Sequence, residues 1–341
     1  MTKKIKVSIV GGSGYTGIEL LRLLCLHPNV DIHYITSRND AGRFVCDIYP
    51  SLRGTLSHKF VHPDEVNLAE SNIVFFATPN GIAMKYTKEL LDKGVKVIDL
   101  SADFRLKKAS NYLKWYKQRH RSIKNIKKSI YALPEITGSD VKRFNIIGCP
   151  GCYPTSILLP LIPLIKKNLI KTQNIIIDSK SGYSGAGRGV HKKYKDKNLY
   201  ESLSSYGVGF HRHNSEIQQE IDSHTKKKFS FTFTPHLSPM FRGILSTIYL
   251  DLNKGVNIDK LENALNEKYL KSRFVKILKH NTLISTNDVI NTNNCYLSIC
   301  KTKYKNRVII LSAIDNLIKG GAGQAIQNMN LKYNFPEMKG L

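Results

Sequence analysis

The sequence predicts an α/β protein in which a Rossmann dinucleotide-binding domain is followed by an α+β domain with a mixed sheet. Three observations indicate this fold class. Strand and helix patterns alternate over the first 100 residues, a glycine-rich turn follows the first strand, and strands predominate after residue 170. Alternation indicates βαβ units and a parallel sheet, whereas successive strands favour antiparallel pairing.

The elements of the first domain follow from local patterns. Strands are predicted at residues 6–10, 31–36, 73–77 and 95–100, and helices at 16–26 and 82–92. The run at 73–77 is wholly apolar, which is typical of a buried parallel strand. We expect residues 1–150 to form this domain, with a C-terminal segment, 316–341, that packs back on it.

The second domain is expected over residues 151–315. Its predicted strands are 175–178, 229–234, 244–252, 296–300 and 308–313, and a long helix at 257–270 is expected to cross one face of the sheet. A further helix at 320–331 belongs to the C-terminal segment.

The composition argues against several classes of protein, including membrane-spanning, secreted and zinc-binding proteins. The chain has 341 residues, 41% of them hydrophobic, and no apolar run approaches the roughly 18 residues that span a bilayer. The apolar residues near the N-terminus run directly into glycines, so we interpret them as a strand rather than a signal peptide and expect a cytoplasmic protein without membrane contact. Six cysteines in such a chain are expected to be thiols, and no zinc-ligand spacing is present, so no metal is expected.

The net charge of +26 admits two interpretations. A basic protein can bind nucleic acid, but here lysine is spread along the whole chain. The densest run, 114–128, has aromatic residues only at its start, unlike a base-stacking surface. We therefore expect no nucleic-acid partner, although a positive field attracts anionic substrates.

A dinucleotide fingerprint follows the first strand. The segment reads G-x-G-x-x-G and opens a helix, which is the context that pyrophosphate binding requires. The predicted cofactor-binding residues of this turn are Gly11, Gly12, Ser13, Gly14, Tyr15, Thr16 and Gly17.

The end of the second strand indicates the type of cofactor. An NAD site usually has an acidic residue there, but this chain reads Thr36-Ser37-Arg38. A hydroxyl and a guanidinium suit a 2′-phosphate, so NADP(H) is the predicted cofactor.

Cys152 stands between a turn and an apolar run of helical length. It could be a buried structural thiol, half of a Cys149-x-x-Cys152 redox pair, or a nucleophile whose thiolate is favoured at a helix N-terminus. The sequence favours the nucleophile, because the dinucleotide site already supplies electrons.

Other segments offer partners for such a nucleophile. His211 and His213 flank Arg212 and could share one face of an extended segment, with the helix 215–221 following. The glycine-rich loop that begins at Ser181 and Gly182 could wrap a cofactor, and Asn316 could bind a nicotinamide amide. Arg105, after the strand at 95–100, could hold a carboxylate or phosphate.

These segments together resemble the N-acetyl-γ-glutamyl-phosphate reductases, NADPH-dependent enzymes of arginine biosynthesis. The matching blocks are collinear over nearly the whole chain and read GGSGYTGIEL, LSADFRL, ALPEI, PGCYPT, KSGYSGAGR, HRHNSEI, PHLSPMFRG and DNLIKGGAGQAIQNMN. The aspartate-semialdehyde dehydrogenases share the same plan, but their motifs fit less well.

The resemblance implies a fold, a reaction and site residues. It implies a second domain like that of glyceraldehyde-3-phosphate dehydrogenase, Cys152 as nucleophile, and His213 as base with His211 as the weaker choice. Arg105 and Arg242 become candidates for the anionic ends of an acyl phosphate substrate, and inorganic phosphate is the expected product. A homodimer or homotetramer is also implied.

Two other functions stay open at this point. A related reductase could act on N-acetyl-aminoadipyl phosphate in lysine biosynthesis, since one methylene changes binding by only about 1–3 kcal/mol. A basic nucleic-acid-binding protein that retains a Rossmann domain is the more remote alternative.

Overall fold

The computed structural model describes residues 4–189 and 201–341. These form two compact units, Met1–Pro150 with Gly321–Leu341, and Gly151–Gly320. The first contains a parallel sheet with helices, and the second contains a mixed sheet. The predicted fold class is therefore confirmed.

The first unit is built on a six-stranded parallel sheet in the order β2-β1-β3-β4-β6-β5. Its strands are β1 (Ile5–Val10), β2 (Val30–Thr36), β3 (Ile73–Phe76), β4 (Lys96–Asp99), β5 (Ser129–Tyr131) and β6 (Ile146–Gly148). Its helices are α1 (Tyr15–Leu24), α2 (Val45–Ile48), α3 (Ala83–Asp92), α4 (Ala109–Tyr116), α5 (Ile123–Ile126), α6 (Pro134–Thr137) and, near the C-terminus, α10 (Gly323–Lys332). All four residues of β3 are buried, as its apolar run predicts.

The glycines between β1 and α1 serve different purposes. Gly11 has φ +87° and begins the turn, a conformation that favours glycine. A Cβ on Gly17 would lie 2.4 Å from the Gly11 carbonyl oxygen, so this glycine lets the helix pack against the turn. A Cβ on Gly14 would have no neighbour nearer than 3.7 Å, so its missing side chain leaves open space above the helix N-terminus.

The helix α10 belongs to the first unit and is buried along most of its length despite its polar sequence. Its amide side chains bind groups elsewhere in the unit. Asn328 donates to the Ala132 carbonyl at 3.0 Å, and the Asn330 side-chain oxygen lies 3.0 Å from Nε2 of His27. Because buried amides are stable only when hydrogen-bonded, these contacts hold the C-terminal segment in a defined position within the unit.

The second unit has a seven-stranded mixed sheet in the order β11-β12-β13-β10-β7-β9-β8. Its strands are β7 (Ile175–Gly182), β8 (Ser204–Ser205), β9 (Phe231–Ser238), β10 (Ile244–Asp251), β11 (Val275–Ile277), β12 (Cys295–Lys301) and β13 (Arg307–Ile314). Its helices are α7 (Cys152–Lys166), α8 (His213–His224) and α9 (Ile258–Tyr269). A π-helical turn, Ile318–Ala322, spans the position at which this unit ends, Gly320. Across residues 4–189 and 201–341, no helix combines the length and apolar character needed to cross a membrane.

The helix α7 continues through two prolines. Pro163 cannot donate a backbone hydrogen bond to the Leu159 carbonyl one turn earlier. The hydroxyl of Tyr269 donates to that carbonyl instead, at 2.5 Å. A side chain from α9 thus donates to the carbonyl that the proline cannot bond, and the buried helix stays continuous.

The strands β7 and β9 extend four residues beyond the predicted ends, at 178 and 234. The extension of β7 is polar in sequence, yet Ser179 and Ser181 are buried. The Ser179 hydroxyl lies 2.7 Å from that of Ser246 on β10, so the buried oxygen has a partner. Tertiary hydrogen bonding therefore replaces the apolar pattern on which the strand prediction depends.

We expect Gly17→Ala to lower the free energy of unfolding by about 1–3 kcal/mol, because its Cβ overlaps the Gly11 carbonyl. Gly14→Ala is the matched control and should stay within about 1 kcal/mol of the wild type. Urea denaturation of both variants measures the difference. Equal stability of the two variants would contradict this account of the turn.

Candidate active site

A cavity of about 320 Å³ lies at the carboxyl ends of β1, β2 and β3 in the first unit. Ligands gather at this edge of an open parallel sheet. The cavity is lined by Val10, Gly11, Ser13, Gly14, Thr36, Ser37, Arg38, Asn39, Pro63, Ala77, Thr78, Pro79, Ile82 and Tyr86. These lining residues, all in the described part of the chain, include one cation and no carboxylate.

The predicted cofactor residues of the first unit fall into three groups by location. Gly11, Ser13, Gly14, Ser37 and Arg38 line the cavity, Gly12 and Gly17 are buried below the turn, and Tyr15 and Thr16 begin α1. The sequence reasoning missed Tyr49, whose hydroxyl donates to the Ser13 carbonyl at 2.5 Å and so fixes the turn.

The two residues proposed to select the cofactor differ in their surroundings. Ser37 is buried, and its hydroxyl lies 2.8 Å from that of Ser13 and donates to Asp40 at 3.1 Å. Arg38 is exposed at the cavity wall. Ser37 therefore ties the end of β2 to the fingerprint turn, while Arg38 is the group with a charge to offer a ligand.

Cys152 is the first residue of α7 in the second unit, as the position of the apolar run predicts. Every residue from Tyr153 to Ile165 is buried, but Cys152 itself is partly exposed. Pro154 has no N–H, and the Thr155 N–H donates to the Gly151 carbonyl. The N–H groups of Cys152 and Tyr153 are thus the candidates for stabilising charge at this helix end.

Two glycines allow other groups to approach Cys152 closely. A Cβ on Gly151 would lie 2.5 Å from Nε2 of His213, so the imidazole packs directly over this glycine. A Cβ on Gly320 would lie 2.7 Å from the Cβ of Cys152. Cys152 therefore has an imidazole beside the preceding residue, and backbone without a side chain packs against its own Cβ.

Glu216 is a site residue that the sequence reasoning did not single out. It is fully buried and accepts the Gly151 N–H at Oε2, 2.9 Å away. Its Oε1 lies 3.8 Å from Nε2 of His213. Its position three residues after His213 could have indicated this contact from the sequence, because residues at this spacing share one face of a helix.

The histidine segment differs from the extended conformation predicted for it. Arg212 has helical dihedral angles and α8 begins at His213, not at 215. Nδ1 of His211 accepts the His213 N–H at 3.2 Å, which satisfies a donor of the first helical turn. A ring nitrogen of the preceding histidine thus caps the start of α8.

His211 and His213 have different environments. The rings of Tyr153, Tyr206 and Phe233 surround His211 with centroid distances of 5.4–5.6 Å. Burial, followed by the charge of Arg212, lowers the pKa of His211 to about 4. His211 is therefore neutral near pH 7 and braces α8, while His213 is the histidine packed over Gly151.

Ser181, Gly182 and Asn316 are brought together in the second unit. The Asn316 side chain accepts the Gly243 N–H at 2.7 Å and donates to Ser184 at 2.9 Å. The N–H of Gly182 donates to the Gly243 carbonyl at 2.8 Å, and the Ser181 hydroxyl donates to the Gly182 carbonyl at 3.0 Å. Asn316 thus joins the start of the glycine-rich loop to the start of β10.

The two candidate substrate arginines lie in different units and both have protein partners. Arg105 is buried and donates to the carbonyls of Cys149 and Leu100 at 2.7 and 2.8 Å, which braces the chain after β6. Nη1 of Arg242 lies 3.1 Å from the buried carboxylate of Asp315. These contacts use some of the hydrogen-bonding capacity and charge that each guanidinium could otherwise offer to a substrate.

Cys149 belongs to the first unit and is buried. Its sulfur lies 3.8 Å from the donating amide of Asn328, and burial raises the pKa of this thiol to about 12. A thiol that stays protonated is a poor partner for redox exchange with Cys152.

Comparisons with known proteins agree with this division of the chain. Residues 6–144 match the NAD binding domain of semialdehyde dehydrogenase, and residues 152–316 match its dimerisation domain. Aspartate semialdehyde dehydrogenase II of Vibrio cholerae has the same fold, with a TM-score of 0.76 at 15% identity over 97% of this chain and 99% of its own. The fold and site thus define an oxidoreductase of the semialdehyde dehydrogenase class.

Closer relatives specify the family. The N-acetyl-γ-glutamyl-phosphate reductase of Vesicomyosocius okutanii is 46% identical over 337 residues, covering 99% of this chain and 98% of that protein. The reductase of the same name from Halothermothrix orenii is 44% identical over 339 residues, with the same two coverages. The chain belongs to the N-acetyl-γ-glutamyl-phosphate reductase family.

The lowered pKa of His211 predicts a pH dependence of stability. An unfolded histidine takes up a proton near pH 6.5, whereas folded His211 does so only near pH 4. The unfolded chain therefore binds more protons between these values, and this residue makes stability fall as pH drops from 6.5 to 4, by up to about 3 kcal/mol.

Urea denaturation of wild type and His211→Phe over this pH range measures the effect. The difference between the two should be constant above pH 7, where it reports packing and the lost acceptor. Below pH 6.5 the wild type should lose stability faster than the variant. A difference that stays constant down to pH 4 would contradict the assignment.

Proposed function

We propose that this protein reduces N-acetyl-γ-glutamyl phosphate to N-acetylglutamate semialdehyde with NADPH, releasing inorganic phosphate, in arginine biosynthesis. Cys152 carries the proposal, because it is the partly exposed first residue of a helix that is buried from Tyr153 to Ile165, and it has the His213 imidazole beside it. The names of the relatives give the substrate, and a thiol at this position suits an acyl phosphate.

The cofactor cavity suits NADPH. A pyrophosphate has room above Gly14 at the N-terminus of α1, where a Cβ would meet nothing nearer than 3.7 Å. Arg38 supplies a positive charge at the end of β2, where NAD sites have a carboxylate. When bound, NADPH supplies the hydride for the reduction.

The side chains of the second unit provide the covalent chemistry. The Cys152 thiolate attacks the acyl carbon, the bond to phosphate breaks, and a thioester forms on the sulfur. Reduction of this thioester gives a thiohemiacetal oxyanion, which the N–H groups of Cys152 and Tyr153 stabilise. Its collapse releases the aldehyde and regenerates the thiolate, while the His213 imidazole holds or returns the proton.

The same proposal covers assembly and location. The match to a dimerisation domain over 152–316 supports a homodimer, or a homotetramer built from dimers. The six cysteines all have free thiols, which suits a reducing compartment such as the cytoplasm.

The reverse reaction tests the proposal. We expect NADP⁺ reduction that requires both phosphate and N-acetylglutamate semialdehyde. The homologue one carbon longer should react about 10–200-fold more slowly, because one methylene changes binding by only 1–3 kcal/mol. Faster turnover of the longer homologue would reassign the substrate to N-acetyl-aminoadipyl phosphate.

Cys152→Ser is the control for the covalent step in this assay. It should lower turnover by more than about a thousandfold, because a hydroxyl is a far weaker nucleophile. Binding of NADP⁺ in the first unit should persist, which shows that the variant is folded. Substantial turnover by the serine variant would rule out the thioester.

Arg38→Gln tests the cofactor preference. Loss of a charged contact of about 1.5–3 kcal/mol should lower kcat/KM for NADPH by roughly 10- to 150-fold and leave the value for NADH unchanged. Arg43→Gln is the matched control, because Arg43 is an exposed arginine nearby in sequence that does not line the cavity. Equal kcat/KM for NADH and NADPH in the wild type would contradict NADPH preference.

A further inference from the structure

Glu216 is a buried acid next to the proposed catalytic pair. It lies on α8, three residues after His213, and is fully buried. Removing a carboxylate from water is unfavourable unless nearby groups stabilise it. The groups that contact Glu216 therefore explain how a buried acid is stabilised at this position.

This one carboxylate contacts both sides of the site. Oε2 accepts the backbone N–H of Gly151, the residue before the nucleophile, at 2.9 Å. Oε1 lies 3.8 Å from Nε2 of His213, a distance that makes an ion pair when the imidazole is protonated. Glu216 thereby links the start of α7 to the start of α8.

Among the described residues, the rings of Tyr153 and His211 pack against His213 and Arg212 precedes it, and none of these three groups supplies a negative charge. Tyr153 of α7 stays protonated, since burial, followed by the nearby Tyr206, raises its pKa. His211 is neutral near pH 7, because burial lowers its pKa to about 4, and Arg212 is positive. Cys152 of α7 follows Gly151, and its thiolate is the species whose formation the proposal concerns.

We propose that Glu216 is a positioning residue that holds the Gly151 backbone and favours the protonated form of His213. This role rests on the proposed function of Cys152 and His213. The proton leaves the Cys152 sulfur and is taken up by the His213 imidazole, which gives a thiolate and an imidazolium. The carboxylate favours the imidazolium, so the nucleophile is ionised at neutral pH.

Glu216→Gln separates the charge from the hydrogen bond. The glutamine oxygen can still accept the Gly151 N–H, but the negative charge beside His213 is lost. A purely structural role predicts wild-type reactivity for this variant. A charge role predicts that Cys152 ionises at higher pH, closer to an ordinary thiol near pH 8.5.

The experiment is the pH dependence of Cys152 alkylation by iodoacetamide, followed by mass spectrometry of the peptide. We expect the Glu216→Gln midpoint to rise by about one pH unit, with about tenfold slower alkylation at pH 7. Reductase kcat should fall about a hundredfold with little change in KM. Glu216→Asp, which keeps a charge on a shorter side chain, should lie between the wild type and the glutamine variant.

Glu220→Gln is the matched control. Glu220 is a buried acid one turn further along α8, and its carboxylate accepts the Gln219 side chain at 3.0 Å. This substitution should leave the alkylation midpoint at the wild-type value. A shift as large as that of Glu216→Gln would mean that any lost charge on α8 suffices, which overturns the specific role of Glu216.

A folded Glu216→Gln variant with the wild-type midpoint also overturns the proposal. If that variant does not fold, Glu216→Asp decides, because it keeps the acid but places the carboxylate on a shorter side chain, farther from His213. An upward shift of its midpoint supports the proposal, and an unchanged midpoint overturns it.

Alkylation needs neither substrate nor cofactor, so the two proposals can fail separately. A shift at Glu216 in a protein that does not reduce the acyl phosphate supports the role of Glu216 and overturns the proposed function. Reductase activity without a shift does the reverse.

Discussion

The imidazole of His213 lies so close to the α-carbon of Gly151 that no side chain can stand between them. This contact fixes where α7 starts and therefore where Cys152 is placed. Since α7 is buried from Tyr153 to Ile165, the thiol of Cys152 is accessible only because it stands at the first residue of the helix. The exposure of Cys152 is thus a consequence of packing around its neighbours.

Burial gives chemically similar groups different properties in this protein. Cys149 is enclosed and its pKa is raised to about 12, whereas Cys152 is partly exposed at a helix start. His211 is surrounded by aromatic rings and accepts a backbone N–H, whereas His213 packs over Gly151. Cys152 is thus the cysteine of the pair that a ligand can reach, and His213 is the histidine that contacts the residue before it.

The elements with regular patterns were predicted well from the sequence, and the irregular ones were not. The strands of the parallel sheet with apolar runs, such as β1 and β3, agree with the prediction to within one residue. The short strands β5, β6 and β11 carry too few residues to show a period. The end of β7 was missed because its buried positions are serines that bond to polar groups, the Ser246 hydroxyl and the Gly182 carbonyl, which an apolar pattern cannot reveal.

The sequence by itself determined the fingerprint turn, the thiol at the start of an apolar helix and the order of the family motifs. These features are local, because each depends on residue types at fixed short spacing. Only the tertiary structure decided which histidine packs over Gly151, and that Arg105 and Arg242 bind protein groups. It also decided that Glu216 reaches Gly151, 65 positions away in the chain. Such contacts arise when separate helices pack together, and short-range spacing carries no record of them.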